Sequence, residues 1–169
     1  MTQRSLEPRV LLIAYGNPLR GDDGLAWQVS ELLAGRFSPT ELKIVCCHQL
    51  APELADDLSC SDAVIFVDAA SPESRFGIPG EIRVVEIHAT ESLQPVTHHF
   101  APAALLAMAA SLYGATPKSF LVTVTGQNFE HEEALSAAVK AALPAVASRI
   151  EALLGEIIAT SHAGEARRS

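Results

Sequence analysis

The sequence predicts an α/β fold: a single domain built as a three-layer α/β/α sandwich around a mostly parallel, twisted five-stranded sheet. Short uncharged apolar runs, such as residues 10–14 and 63–67, have the length and composition of buried parallel strands. Between them lie segments with apolar residues at helical spacing, and clusters of Gly, Pro, Asn and Asp mark the changeovers. Strands alternating with helices give one open sheet covered on both faces.

The first strand, from Val10, stops at the turn signal Gly16-Asn17-Pro18. Asp22 and Asp23 then open a helix whose apolar face is Leu25, Val29, Leu32 and Leu33. A second strand is expected over 42–47. A loop from His48 leads to a helix with Pro52 in its first turn and Leu50, Leu54 and Leu58 on its inner side. The third strand, 63–67, ends at Asp68. After a Pro- and Gly-rich loop, 81–87 alternates Ile82, Val84 and Val85 with charged residues and reads as a less buried edge strand.

Thr97-His98-His99 precedes an Ala-rich helix over 100–113, in which Pro102 fits an early position. A strand over 119–125 ends at Gly126, and Ser136 is a candidate cap for the last helix. Val139, Leu143, Val146, Ile150, Leu153 and Ile157 keep helical spacing there, and Pro144 predicts a break or kink. The domain spans 1–169, with its core over about 9–158 and a mobile tail over 160–169.

A chain of 169 residues, 49% hydrophobic and 19% charged, can bury roughly two-thirds of its unfolded surface. Net charge is −8 and the only basic pair is Arg167-Arg168, which argues against nucleic acid as a partner. No apolar run is long enough for a membrane span or a signal peptide, so the cytoplasm is the expected compartment. Cys46, Cys47 and Cys60 form neither a disulfide framework nor a CxxC pair, and read as small packed hydrophobes in a reducing compartment.

The turn after the first strand is the centre of the chemistry. A phosphate-binding turn offers bare backbone N–H groups to an anion, whereas this one carries two carboxylates. Glycines 16, 21 and 24 also miss the dinucleotide-binding spacing. A cation suits it better. One carboxylate suffices as a helix cap, so Asp22 is expected to cap and Asp23 to be free.

Strands one and three flank the switch point of a doubly wound sheet, so Asp23 and Asp68 should meet in one crevice. Two carboxylates that close repel unless a cation or a proton lies between them. The pair His98 and His99, just ahead of a helix, can reach the same crevice; His48 is the remaining histidine candidate. Two oxygens and one imidazole suit a borderline divalent ion such as zinc or nickel, with positions left open. No Ser or Cys sits in a strained elbow at a strand end, so a triad-type nucleophile is not indicated.

Gly16-Asn17-Pro18-Leu19-Arg20-Gly21-Asp22-Asp23-Gly24, Val64-Ile65-Phe66-Val67-Asp68-Ala69-Ala70 and Thr97-His98-His99-Phe100-Ala101-Pro102-Ala103-Ala104-Leu105-Leu106 resemble the three ordered signatures of the [NiFe]-hydrogenase maturation endopeptidases. The resemblance covers about residues 10–154. It implies that Asp23, Asp68 and His98 form the catalytic and metal site, His98 being preferred to His99 by its spacing to Leu105-Leu106. Some members carry Glu where Asp23 stands, and some have a Gly-Gly-Thr-like loop where this chain has His48-Gln49-Leu50. That loop looks closer to the branch serving soluble, NAD-coupled or bidirectional hydrogenases.

The resemblance further implies removal of a C-terminal extension from a hydrogenase large-subunit precursor after nickel insertion. The nickel is supplied by the substrate, zinc or cadmium can substitute for it in crystals, and the protein, a monomer, holds no tight cofactor of its own. Asp22 is left as a cap or a base. A non-catalytic nickel-binding scaffold and a flavodoxin-like nucleotide or flavin binder are the rival readings; the carboxylates at the first turn count against the latter.

Overall fold

In the computed structural model, which describes residues 9–72, 77–89 and 101–166, five strands form one sheet in the order β2-β1-β3-β5-β4. β1 is Val10–Tyr15, β2 Leu42–Cys47, β3 Ala63–Ala70, β4 Ile82–Ile87 and β5 Lys118–Thr125. β1, β2, β3 and β5 are parallel and β4 joins the edge antiparallel to β5. This is the expected mostly parallel sheet.

The helices α1 (Leu25–Leu33), α2 (Leu54–Ser59), α3 (Pro102–Tyr113) and α4 (Ala137–Ala166) cover both faces. Alternation along β1 sorts the core into two layers. Val10, Leu12 and Ala14 pack with α1 and α4, through residues such as Val29 and Ile150. Leu11 and Ile13 pack with α2 and α3, through Leu58 and Leu105. β1 and most of β3 are buried on both faces, which is why they carry no polar alternation.

Several local expectations need correction. A 3₁₀ turn, Gly21–Gly24, comes before α1, so Asp22 and Asp23 lie ahead of the α-helix; Leu32 is exposed and only Leu33 of that pair enters the core. β3 continues past Val67, because β5 goes on pairing with it at Asp68↔Thr123, Ala69↔Val124 and Ala70↔Thr125. Asp68 is therefore inside a strand rather than beyond its end.

Cys46 and Cys60 are exposed, against the packing expected of them, because β2 is an edge strand and Cys60 follows a short surface helix. Cys47 is partly buried against the α2/α3 layer. α4 runs unbroken through Pro144, and Val139, Val146 and Ile150 on either side of it are buried. Packing on that scale outweighs the one hydrogen bond a proline removes. The helix also continues through the expected tail to Ala166, with Thr160 and Ser161 hydroxyls donating to the carbonyls of Glu156 and Ile157. Among the described residues no helix is long and apolar enough to cross a membrane.

α3 begins as its sequence predicts. Ala101 is extended and Pro102 occupies the first turn, where its missing N–H costs nothing. Gly114 ends the helix in the left-handed conformation.

Candidate active site at the carboxyl edge of the sheet

β1 and β3 are neighbours, yet β1 turns away after Tyr15 whereas β3 runs on to Ala70. A cleft of about 380 Å³ opens at this point, lined by Tyr15, Asn17, Arg20, Asp23, His48 and Asp68 among others. It lies at the switch point of the strand order, where open α/β sheets take their ligands. The structure thus brings Asp23 and Asp68 to one cavity.

Gly16 makes the turn possible. Its φ of +139° is open to glycine, and an added Cβ would stand 2.2 Å from the Asp23 carbonyl oxygen. The close approach lets the Asn17 N–H donate to Asp23 Oδ2 at 2.7 Å. Trp27 of α1 donates its indole N–H to the Gly16 carbonyl at 2.9 Å, and the His48 ring meets Trp27 edge-on with centroids 5.7 Å apart. The turn and the end of β2 are therefore braced against each other.

Asp22 has a different task. It is fully buried and accepts from the N–H groups of Gln127, Asn128 and Ser136 and from the Ser136 hydroxyl. The expected cap is real in chemistry but wrong in address, since no side-chain cap serves the 3₁₀ turn or α1. The carboxylate instead ties the first turn to the loop after β5 and to Ser136, whose carbonyl accepts from Lys140 at the start of α4. Burial alone would raise its pKa, but the hydrogen bonds from Asn128, Gln127 and Ser136 outweigh it and hold the carboxyl below its ordinary value. A buried, fully engaged carboxylate is a structural anchor and is not available as a base.

Asp68 is the opposite case. Burial, the largest cause, pushes its pKa up to about 7, aided by the negative charge of Asp23. Hydrogen bonds from the Tyr15 hydroxyl and the Ala69 N–H work against that rise. A proton or a divalent cation would relieve the strain of two acids in one cleft. The chemistry of the donor set fits a divalent metal ion.

His98 and His99 lie outside the described residues. Among the described residues no three His, Cys, Asp or Glu side chains gather closely enough to hold a metal ion. His48 reaches the cleft as expected, whereas His88 lines a separate cavity beside Leu106 and Pro117. Two cleft residues escaped sequence reasoning. Tyr15 closes an otherwise aliphatic strand, a signal that was there to read; Arg20 stands within the glycine turn and brings the cleft a positive charge.

No family model and no curated protein matches the chain. Solved structures do. The hydrogenase maturating endopeptidase HybD from E. coli is 25% identical and superposes with a TM-score of 0.71, over 88% of this chain and 93% of that one. The hydrogenase maturation protease HycI from Thermococcus kodakarensis (21% identical, TM-score 0.68, 88% and 94% covered) shares the fold. So does the hydrogenase 2 maturation peptidase from a Thaumarchaeota archaeon (24%, 0.65, 87% and 98%). The E. coli neighbour bears out the resemblance to the [NiFe]-hydrogenase maturation endopeptidases, and with it the reading of the chain as an enzyme, while the other two share its fold.

Proposed function

We propose that this chain, folded as a hydrogenase maturation endopeptidase, removes the C-terminal extension of a [NiFe]-hydrogenase large-subunit precursor once nickel has been inserted. Nickel held by the substrate meets Asp23, Asp68 and His98, and the extension is cut only when that contact forms. The observation that carries the reading is the convergence of Asp23 and Asp68 on one cleft at the β1/β3 switch point.

Two further features support it. Asp68 carries a raised pKa beside a second carboxylate, a pairing that favours uptake of a divalent cation. Among the described residues, those lining the cleft include no Ser, Thr or Cys and so offer no side chain for an acyl intermediate. Direct attack of water on the peptide carbonyl, with the amine leaving as a new N-terminus, needs no such group. The metal would supply electrostatic help to that step when present. Asp23 and Asp68 would orient it. Exposed thiols at Cys46 and Cys60 suit a reducing compartment, in keeping with a cytoplasmic setting.

Mass spectrometry of a large-subunit precursor mixed with this protein tests the reading. Loss of the C-terminal extension from nickel-loaded precursor, and its retention on the nickel-free form, is the expected result. A nickel-loaded precursor that binds the protein and stays intact would instead mark a non-catalytic scaffold.

A further inference from the structure

We infer that Tyr15 is the positioning residue of Asp68: its phenol O–H holds the carboxylate in one orientation in the cleft, ready for the ion that the substrate presents. The inference rests on the proposed role of Asp68 as a contact to that ion.

The geometry begins with register. The last paired rung of β1 and β3 is Ala14↔Val67, so Tyr15 and Asp68 occupy the next rung at the point where β1 leaves the sheet. Side chains alternate along strands, and Leu11, Ile13, Val64 and Phe66 all face the α2/α3 layer. Tyr15 and Asp68 therefore emerge on that same face, side by side, and both line the cleft. On that face the Tyr15 hydroxyl is placed to donate to the Asp68 carboxylate, which can only accept.

On its other side the main chain of Asp68 pairs with Thr123 of β5, and the neighbouring Ala69 N–H also acts on its carboxylate. One local backbone donor leaves the carboxylate freedom to turn. A donor on the β1 side removes that freedom, as hydrogen-bond partners of metal-binding carboxylates do.

The packing of Tyr15 against the α2/α3 layer needs only an aromatic ring. A phenol there adds a buried polar atom that must find a partner, and the partner it finds is the carboxylate at the mouth of the cleft. A phenol O–H is a donor and an ionised carboxylate offers only acceptors, so the pair has one direction.

The test is zinc binding by calorimetry on the full chain, comparing the unaltered protein with Tyr15→Phe, Asp68→Asn, Asp23→Asn and the Tyr15→Phe/Asp68→Asn pair. Tyr15→Phe should weaken zinc binding roughly 10–100-fold. It should do almost nothing in the Asp68→Asn background, because a residue that acts through another is silent once that other is changed. With nickel-loaded precursor it should raise KM more than it lowers kcat. Equal losses in both backgrounds would reveal a general structural effect and overturn the inference. Weakening by Asp23→Asn and Asp68→Asn, with none by Tyr15→Phe, would overturn it while leaving the proposed site standing. If neither carboxylate variant changes zinc affinity, the site and the role of Tyr15 fall together.

A second readout avoids substitution at Tyr15. Zinc uptake should shift tyrosine ultraviolet absorption in the unaltered protein and not in Asp68→Asn, Tyr113, the other tyrosine, being half exposed at the end of α3. No shift on zinc binding would count against the contact.

Discussion

Asp22 accepts from both the backbone N–H and the hydroxyl of Ser136, at 2.7 and 2.8 Å, across 114 residues of chain. The first turn and the last helix are thereby joined beneath the cleft, and Gln127 and Asn128 donate to the same carboxylate. Asp22→Ala leaves these buried donors without their acceptor and should cost about 3 kcal/mol of stability at neutral pH. The folded pKa of Asp22 lies below the unfolded value of 3.8, so its contribution is complete above that value and fades as pH falls through the folded one. Urea unfolding of the variant and the unaltered protein at pH 7 and at strongly acid pH should show the gap closing in acid.

The layers of the fold were legible because two-face burial leaves a direct trace: β1 and β3 are apolar throughout, and the edge strand β4 alternates. Long-range partnerships leave none. Nothing about Asp22 in sequence points to Ser136, since both residues look like ordinary caps of their own helices. Asp68 looks like a strand end because an acid follows an apolar run, and only the pairing with Thr123 keeps it in the sheet. Cys46 and Cys60 look like packed residues until the sheet order places β2 at an edge. Asp23 and Asp68 could be brought together in advance because the switch-point rule depends on topology rather than on side-chain detail.

Gly16 should tolerate no side chain. A Cβ there meets the Asp23 carbonyl oxygen at 2.2 Å and Asp23 Oδ1 at 3.1 Å, with φ in a region that L residues rarely adopt. We expect Gly16→Ala to lose roughly 2–4 kcal/mol and to disable the site, because the turn that carries Asp23 must move. Gly35 provides the control: its φ is +75°, but a Cβ would meet nothing within 4 Å. Gly35→Ala should cost only about 1–2 kcal/mol and leave processing intact, as thermal unfolding and a cleavage assay would show.

Asp68 should stabilise function at the expense of the fold. Its folded pKa of about 7 exceeds the unfolded 3.8, so the folded state binds the proton more tightly and stability declines as pH rises between these values. Above pH 7 the whole penalty is present. Asp68→Asn should therefore raise stability at pH 8 by up to roughly 4 kcal/mol, with the gain vanishing near pH 4, while processing is lost. Thermal unfolding of the metal-free proteins across this range is the measurement. A variant less stable than the unaltered protein at pH 8 would contradict the raised pKa.

The two histidines should separate cleanly. Their spacing to Leu105 and Leu106, both buried on α3 against the sheet, favours His98 as the ligand. His98→Ala should abolish processing and weaken zinc uptake, whereas His99→Ala should retain substantial activity in the same assay. The reverse pattern would move the ligand by one residue.

Metal should pass through this protein rather than reside in it. The proposed site, two carboxylates and one histidine with no thiolate, would be open, whereas tight structural sites are closed by four ligands. A checkpoint needs that openness, because a peptidase with its own permanent nickel could not sense whether the precursor holds any. Uptake must also displace protons from Asp68, near pH 7, and from His98, so affinity should fall as the solution is made more acid. Purified protein should hold little metal, take up zinc or nickel when soaked, and yield it to a chelator. Stoichiometric nickel or zinc surviving chelation would mean a resident cofactor, and the substrate-supplied nickel would have to be abandoned.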